Sequence, residues 1–342
     1  MKKIWYLFVK YYVRLGFAFY FKKVMISGRE NIPRDKAILF VANHQNALID
    51  PLLIGAVTPR ELNFLTRADV FGKPVIKALL STVNMLPIYR IRDGLTSVSK
   101  NEEVFKKCYR ILNQNGTVLI FPEGNHNIRR QLRSLSKGFT RIVFGTLESN
   151  PDQQIVVLPI GINYTNAKKF ASSVHLIFGE PIPVTEKYND DLVNGSSNML
   201  KDEVSAALKK LITHVDDPDH HDNMTSWFHE EEFLQPEVVN QKLKDNSLDT
   251  KDPVHMKKDK FNLLGPVVRA NSIVPLLVWK FFFPKIEEEE FIATYRFSLG
   301  ITLVPLCYFL QAWLVSVLWN DTIGMMYLAG SFLSAYLFVK SN

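Results

Sequence analysis

Two runs near the carboxyl terminus, residues 297–319 and 322–339, contain no charged side chain. Each is close to the ~20 residues a helix needs to cross a hydrocarbon layer. Backbone in lipid must satisfy its own hydrogen bonds, so such runs are expected to be helical. Asn320-Asp321 separates them, which predicts a transmembrane hairpin with a very short turn. Arg296 flanks one outer end and Lys340 the other, while the turn carries only an Asp. Positive residues mark the cytoplasmic side, so both outer ends are expected there. A hairpin buried in a soluble core is the weaker alternative, because two such lengths would have to be enclosed by protein.

The amino-terminal end is apolar in a different way. Residues 2–21 are mostly aliphatic and aromatic, broken by Lys2, Lys3, Lys10 and Arg14. At helical spacing Lys3, Lys10 and Arg14 share one stripe, opposite Leu7, Phe8, Tyr11, Leu15 and Phe19. No uninterrupted apolar stretch reaches spanning length, and no small-residue cleavage site follows. Residues 1–23 are therefore expected to lie in the membrane interface, basic stripe toward the headgroups. The other reading is an amphipathic helix packed on a core. The 342-residue chain carries a net charge of +7. That suits an anionic partner, and the apolar ends favour anionic membrane lipid over nucleic acid, for which no module is present. Cys108 and Cys307 lie far apart without metal-ligand spacing, which argues against a disulfide scaffold or a zinc site.

Residues 24–214 read as one α/β domain. Strands are expected at 37–42, 62–66, 86–89, 117–121, 155–160 and 174–178, with helices between several of them. One helix has Ser99 and Glu102 as a capping box, Val104, Cys108, Ile111 and Leu112 on one face, and Gly116 as its stop. Another carries Leu200, Val204, Ala207, Leu208 and Leu211. Such alternation implies a mixed, mostly parallel sheet covered by helices on both faces, with ligands beyond the carboxyl ends of the strands. Residues 215–262 turn polar and read as a solvated helix-and-loop linker; their His and acidic residues are too irregularly spaced for a metal site. The remainder, 263–342, is membrane-associated. Residues 273–284, with Lys280 inside, are too short to span and are expected on the surface or dipping into it. Glu287 to Glu290 read as a solvated face before the hairpin.

The chemistry is concentrated at strand ends. Ala37–Ala42 is followed by Asn43-His44, and a second apolar patch begins directly after Asp50-Pro51. Pro is tolerated in a helical first turn and Asp is a good cap, so the segment reads as strand, turn, helix, with Asp50 at the helix start. There the carboxylate can accept one imidazole N–H of His44, fix its tautomer and leave the other nitrogen as a general base. Three further stretches join this turn if the sheet is parallel. Arg90 and Arg92 follow one strand, and Arg90 can bind phosphate in a bidentate way. Phe121-Pro122-Glu123-Gly124 ends another: Glu123 can accept from substrate hydroxyls, and Gly124 lets backbone approach closely. Val157-Leu158-Pro159-Ile160-Gly161 ends a third. Taken singly, a surface ion pair at Arg90 and an ordinary turn at Glu123 are the duller readings.

These four stretches, in this order over residues 24–185, resemble the glycerolipid acyltransferase family that includes bacterial 1-acylglycerol-3-phosphate acyltransferases. Smaller echoes agree: Gly28-Arg29-Glu30-Asn31-Ile32-Pro33, Leu135-Ser136-Lys137-Gly138 with Arg141, and Phe178-Gly179-Glu180-Pro181. The resemblance implies transfer of a fatty acyl group from a thioester, acyl-CoA or acyl-ACP, to a glycerophosphate or lysophospholipid hydroxyl at a membrane surface. It implies no bound cofactor or metal. It also implies His44 as base, Asp50 as its partner, and Arg90 and Glu123 in substrate binding. Two departures stand out. Five residues separate His44 from Asp50 where the family usually has four, a spacing that looks like the fungal branch acting on glycerol 3-phosphate and dihydroxyacetone phosphate. Asn125-His126 follows Gly124 where the family often has Ser or Thr and then Arg, so Arg129, Arg130, Lys137 or His126 would have to supply that cation. A phospholipid transacylase and a non-catalytic lipid-binding protein are the competing functions. No Gly-x-Ser-x-Gly elbow supports a hydrolase.

Overall fold

A computed structural model describes residues 2–89, 99–184, 193–217, 219–245 and 262–342. The centre is an eight-stranded sheet built from β1 (Lys23–Ser27), β2 (Ala37–Ala42), β3 (Asn63–Arg67), β4 (Met85–Ile88), β5 (Thr117–Ile120), β6 (Ile155–Tyr164), β7 (Ser173–Phe178) and β8 (Ile182–Pro183). The order is β1-β7-β6-β2-β5-β3-β4, with β8 beside β6. Pairings β1·β7, β6·β2, β2·β5, β5·β3 and β3·β4 are parallel, while β6 runs antiparallel to β7 and β8. The fold is the mixed, mostly parallel α/β sheet expected.

Every residue of β2 is buried, as a central strand covered on both faces requires. Ile38, Phe40 and Ala42 point to one core, shared with Tyr6, Val13 and Phe17 of the first helix and with Leu53 and Ile54. Ala37, Leu39 and Val41 point to the other, shared with Val104, Cys108, Phe139, Ile142, Val204 and Leu208. This period-two split is what pins the strand's register. Of the expected strands, β6 differs most. It runs on to Tyr164, so Leu158-Pro159-Ile160 lies within a strand and does not end one. Pro159 falls between the residues paired to β8 (Val156, Val157) and those paired to β7 (Ile160 onward). A residue without an N–H is tolerated at such a gap in the ladder.

The helices are α1 (Lys2–Ala18), α2 (Ile49–Val57), α3 (Pro74–Thr82), α4 (Asn101–Asn113), α5 (Gly138–Ser149), α6 (Val193–Leu211), α7 (His221–Ser226), α8 (Pro236–Lys244), α9 (Leu264–Asn271), α10 (Ile273–Phe282), α11 (Ile292–Leu318) and α12 (Asp321–Ser341). The capping box expected before α4 does not form: Lys100 takes the cap position without a side-chain bond. Asn101 instead clasps Tyr89, accepting from its N–H at 2.8 Å and donating to its carbonyl at 2.7 Å.

α1 combines both readings made of it. Tyr6, Val13 and Phe17 are buried, with Phe17 stacked on Phe297 at 4.6 Å. Ile4, Phe8, Tyr11 and Leu15 remain exposed, an apolar face of the kind that enters a bilayer interface. The basic stripe is divided: Lys3 and Arg14 are exposed, but Lys10 turns inward and donates to the carbonyl of Thr58 at the end of α2.

α11 and α12 are long and apolar enough to cross a membrane, and α9 with α10 forms a pair bent by 77° that passes the same test as one broken span. Two of the polar stretches are packed, not solvated. Among residues 216–245, Phe228, Phe233 and Val239 make a small core, and His175 Nδ1 meets the Leu234 carbonyl at 2.7 Å. Residues 246–261 lie outside the described residues. The Glu287 to Glu290 segment docks on the domain: Ala47 N–H donates to the Glu290 carbonyl (3.3 Å), and Lys168 Nζ pairs with Glu289 (3.0 Å). Charge run alone does not reveal a partner surface, which is why a solvated face was the sequence expectation.

Candidate active site

His44 follows the carboxyl end of β2, and Asp50 stands in the first turn of α2, one residue inside the helix and not at its cap, which is Leu48. From there the Asp50 side chain reaches back across the turn. Its Oδ2 lies 2.9 Å from His44 Nδ1 and accepts the backbone N–H groups of Gln45 (2.8 Å) and Asn46 (2.7 Å). Its Oδ1 accepts the Tyr164 hydroxyl at 2.6 Å. The carboxylate has no solvent exposure. An oxygen already accepting two N–H groups does not carry a proton of its own, so Nδ1 must be the donating nitrogen of His44 and Nε2 the basic one. Burial, with the Asp50 charge beside it, pushes the Tyr164 phenol well above its usual range and keeps it a donor.

The five-residue spacing now has a physical account. Gln45 and Asn46 lend their N–H groups to Asp50. Asn46 then anchors outward, donating its amide to the Ala167 carbonyl (2.9 Å), while Leu48 N–H donates to Thr294 Oγ1 of α11 (3.1 Å). Asn43 fixes the other side, clasping both backbone groups of Ile162 at 3.0 and 2.7 Å. The turn is thus held by β6, by the loop after it and by the first helix of the hairpin.

Glu123 follows β5, adjacent to β2. Its carboxylate is occupied within the protein: Oε1 accepts His44 N–H (3.1 Å), and Oε2 accepts the backbone N–H (3.2 Å) and Nε (3.1 Å) of Arg133. Only 3% of the side chain is exposed. The donors that Glu123 meets here belong to the protein, where the sequence pointed to substrate hydroxyls. Burial raises the Glu123 pKa above its ordinary value, with Arg133 and the two N–H groups pulling the other way. Gly124 adopts a positive φ of 71°, and an added Cβ would meet nothing within 4 Å. Its glycine is needed for backbone conformation, not for close approach of protein. Its N–H donates to the Phe121 carbonyl (3.2 Å). The N–H groups of Gln45, Asn46 and Gly124 are therefore all committed, and none is spare to hold an oxyanion.

His44 stacks on Phe121 (centroids 4.0 Å apart) and meets the buried His126 ring edge-on at 5.6 Å. His126 lies beside Arg67 at the end of β3, with Nη1 3.3 Å from Nε2. Glu288 and Glu290 approach it at 3.7 and 3.9 Å. Among the described residues these three bring possible metal-ligand atoms within 4.8 Å of one another. A guanidinium at the same imidazole nitrogen disfavours a metal cation, so the group reads as an ion-pair network. Of the other cations proposed from sequence, Arg130 stacks on Phe233 and donates to the Thr165 carbonyl. Arg129 lines a polar cavity of about 10 Å³ behind His44, room for one water. Lys137 is exposed at the start of α5, and Arg90 lies outside the described residues. Arg133, Tyr164 and Thr294 were not anticipated. Arg133 could have been weighed with its neighbours Arg129 and Arg130; the other two carry no local signal.

Residues 23–163 match the Acyltransferase family model. Over 115 residues the chain is 31% identical to glycerol-3-phosphate O-acyltransferase 2 of Saccharomyces cerevisiae, covering 34% of this chain and 14% of the yeast protein. A 1-acyl-sn-glycerol-3-phosphate acyltransferase of Chlamydomonas reinhardtii is 30% identical over 119 residues, 34% of each chain. The aligned segments thus span well under two thirds of these relatives. Among solved structures, the 1-acyl-sn-glycerophosphate (LPA) acyltransferase PlsC from Thermotoga maritima aligns over 60% of this chain and 80% of its own at 21% identity and a TM-score of 0.43.

Proposed function

We propose that this chain transfers a fatty acyl group from acyl-CoA or acyl-ACP to the hydroxyl of a glycerophosphate acceptor, glycerol 3-phosphate or lysophosphatidate, in phospholipid synthesis. The reading takes the acyl thioester as co-substrate and needs no resident cofactor. The observation that carries it is the contact of His44 Nδ1 with a fully buried Asp50 carboxylate at 2.9 Å. That contact orients a neutral imidazole and stabilises the imidazolium it becomes. Both relatives named above have names consistent with this chemistry.

His44 Nε2 removes the acceptor hydroxyl proton as that oxygen attacks the thioester carbonyl. The tetrahedral intermediate collapses, the C–S bond breaks, and the thiolate leaves with the proton from Nε2; one C–O bond replaces one C–S bond. Asp50 holds the charge on the imidazole throughout. Glu123 and Arg133 hold the backbone of His44, and Gly124 leaves open space beside them. Arg90 and Lys137 bind the acceptor phosphate. Orientation follows from the hairpin. Arg296 donates to the Lys168 carbonyl (2.9 Å) in the α/β domain, and Lys340 to the Phe21 carbonyl (2.8 Å) just before β1, so both basic ends lie on the side of that domain. By the positive-inside tendency this supports a catalytic domain on the cytoplasmic face.

The test is turnover in membrane vesicles with each acceptor and each donor in turn. His44→Ala should lose ~10²–10⁴-fold in turnover with folding intact. Arg90→Ala should chiefly raise KM for the phosphorylated acceptor. Activity that needs no thioester would assign a transacylase instead, and unchanged activity of His44→Ala would refute the reading.

A further inference from the structure

A second cavity, of about 570 Å³, opens between α1, the bent pair α9–α10 and the hairpin. None of its lining residues is His44, Asp50 or Glu123. Its volume lies within the ~300–1,000 Å³ of ligand-sized sites. The walls are mostly aliphatic and aromatic. Lys169, Arg269 and Arg296 also line it, and among the described residues no acidic side chain does. Arg296 packs its guanidinium over Trp279 at 4.6 Å.

We propose that this cavity holds one anionic glycerophospholipid of the surrounding bilayer, acyl chain between the helices and phosphate on the basic side chains. Three features argue for that occupant. Much of the wall belongs to α9–α10, α11 and α12, which are long and apolar enough to cross a membrane, so lipid has direct lateral access. The apolar interior matches an acyl chain. Three positive side chains without an acidic one select a phosphate that lacks a compensating headgroup cation. The site lies apart from the acyl-transfer reaction and does not depend on its assignment. It does share a loop with the catalytic turn: Ala167, whose carbonyl holds Asn46, precedes Lys168, whose carbonyl holds Arg296, and Lys169.

Gly300 supplies a clean probe. It lines the cavity, and an added Cβ would meet nothing within 4 Å. Gly300→Leu therefore has room for its Cβ, projects bulk into the space and favours the helix. Lys169 and Arg269 are both exposed, so Lys169→Gln/Arg269→Gln removes charge without disturbing a core. The full chain is reconstituted in vesicles of roughly nine parts phosphatidylcholine to one part phosphatidylglycerol, then extracted in neutral detergent, and retained lipid is counted by mass spectrometry. Wild type should retain phosphatidylglycerol well above its share of the vesicle. Gly300→Leu should lose it, and the charge variant should weaken retention by about twenty-five-fold, since each basic side chain near a lipid phosphate contributes roughly a factor of five. Thermal unfolding of both variants in detergent checks that each is folded. The proposal is overturned if wild type retains the two lipids in the vesicle ratio, or if folded Gly300→Leu retains as much phosphatidylglycerol as wild type. Because the readout is bound lipid, inactivity of the chain as an acyltransferase would leave this result standing.

Discussion

Asp50→Asn isolates the charge of the buried carboxylate while keeping its shape. In the native turn, Oδ2 receives His44 Nδ1 and the N–H groups of Gln45 and Asn46, and Oδ1 receives Tyr164. The asparagine can keep its carbonyl oxygen toward the three N–H donors and aim its NH₂ at Tyr164. Exchanging a charged acceptor for a neutral one weakens each of the three bonds by about 1 kcal/mol, so unfolding should cost about 3 kcal/mol less. The kinetic loss is larger in kind. A unit pair at about 4 Å with an effective dielectric near 20 attracts by about 4 kcal/mol, which is the stabilisation that the imidazolium would lose, or roughly three decades of turnover at about 1.4 kcal/mol each. The assay is single-acceptor acyl transfer in vesicles, with thermal unfolding measured on the same preparation. KM for the acceptor should change little, since Asp50 touches only protein groups. A folded Asp50→Asn protein that keeps more than about a tenth of wild-type turnover would refute the assigned role.

Other perturbations report on the frame around that pair. Arg133→Ala strands the buried Glu123 carboxylate and should destabilise by about 3 kcal/mol; combining it with Glu123→Gln should be milder than Arg133→Ala alone, read by denaturant midpoint. Thr294→Val leaves the Leu48 N–H without its acceptor and should cost about 1 kcal/mol and slow turnover, whereas Thr294→Ser should restore both. His214 accepts the Leu132 N–H at Nδ1 (3.0 Å), and burial holds its pKa below the ordinary 6.5. The unfolded chain then binds the proton first, so stability is full above about 6.5 and falls as pH drops through the lowered folded value. Melting between about pH 8 and about pH 5 tests this, and His214→Gln should flatten the His214 component.

How much of this was legible depends on distance along the chain. β2 was read to the residue because its apolar run ends abruptly at Asn43, and the hairpin because uncharged length leaves a helix little alternative. The meeting of His44 with Asp50 is a property of one turn and could be argued locally. Edge strand β1, with a half-exposed pattern, and the two-residue β8 carry too little periodicity to be noticed. Leu158-Pro159-Ile160 looked like a strand's end because Pro usually interrupts a ladder; the switch of β6 from β8 to β7 is invisible without the partners. Glu123 looked available because nothing in Phe-Pro-Glu-Gly announces an arginine ten residues on. Tyr164 and Thr294 reach the turn across separations of 114 and 246 residues, which only tertiary structure supplies.

The hairpin is joined to the turn that bears His44 by two short links, the Ala47 N–H to the Glu290 carbonyl and the Leu48 N–H to the Thr294 hydroxyl. Any solvent that lets α11 tilt or slide relative to the domain pulls on those links before it disturbs the sheet. Detergent extraction should therefore cost activity earlier than it costs secondary structure, and returning the protein to a bilayer of suitable thickness should recover it. The anchor and the chemistry are in this sense one mechanical unit.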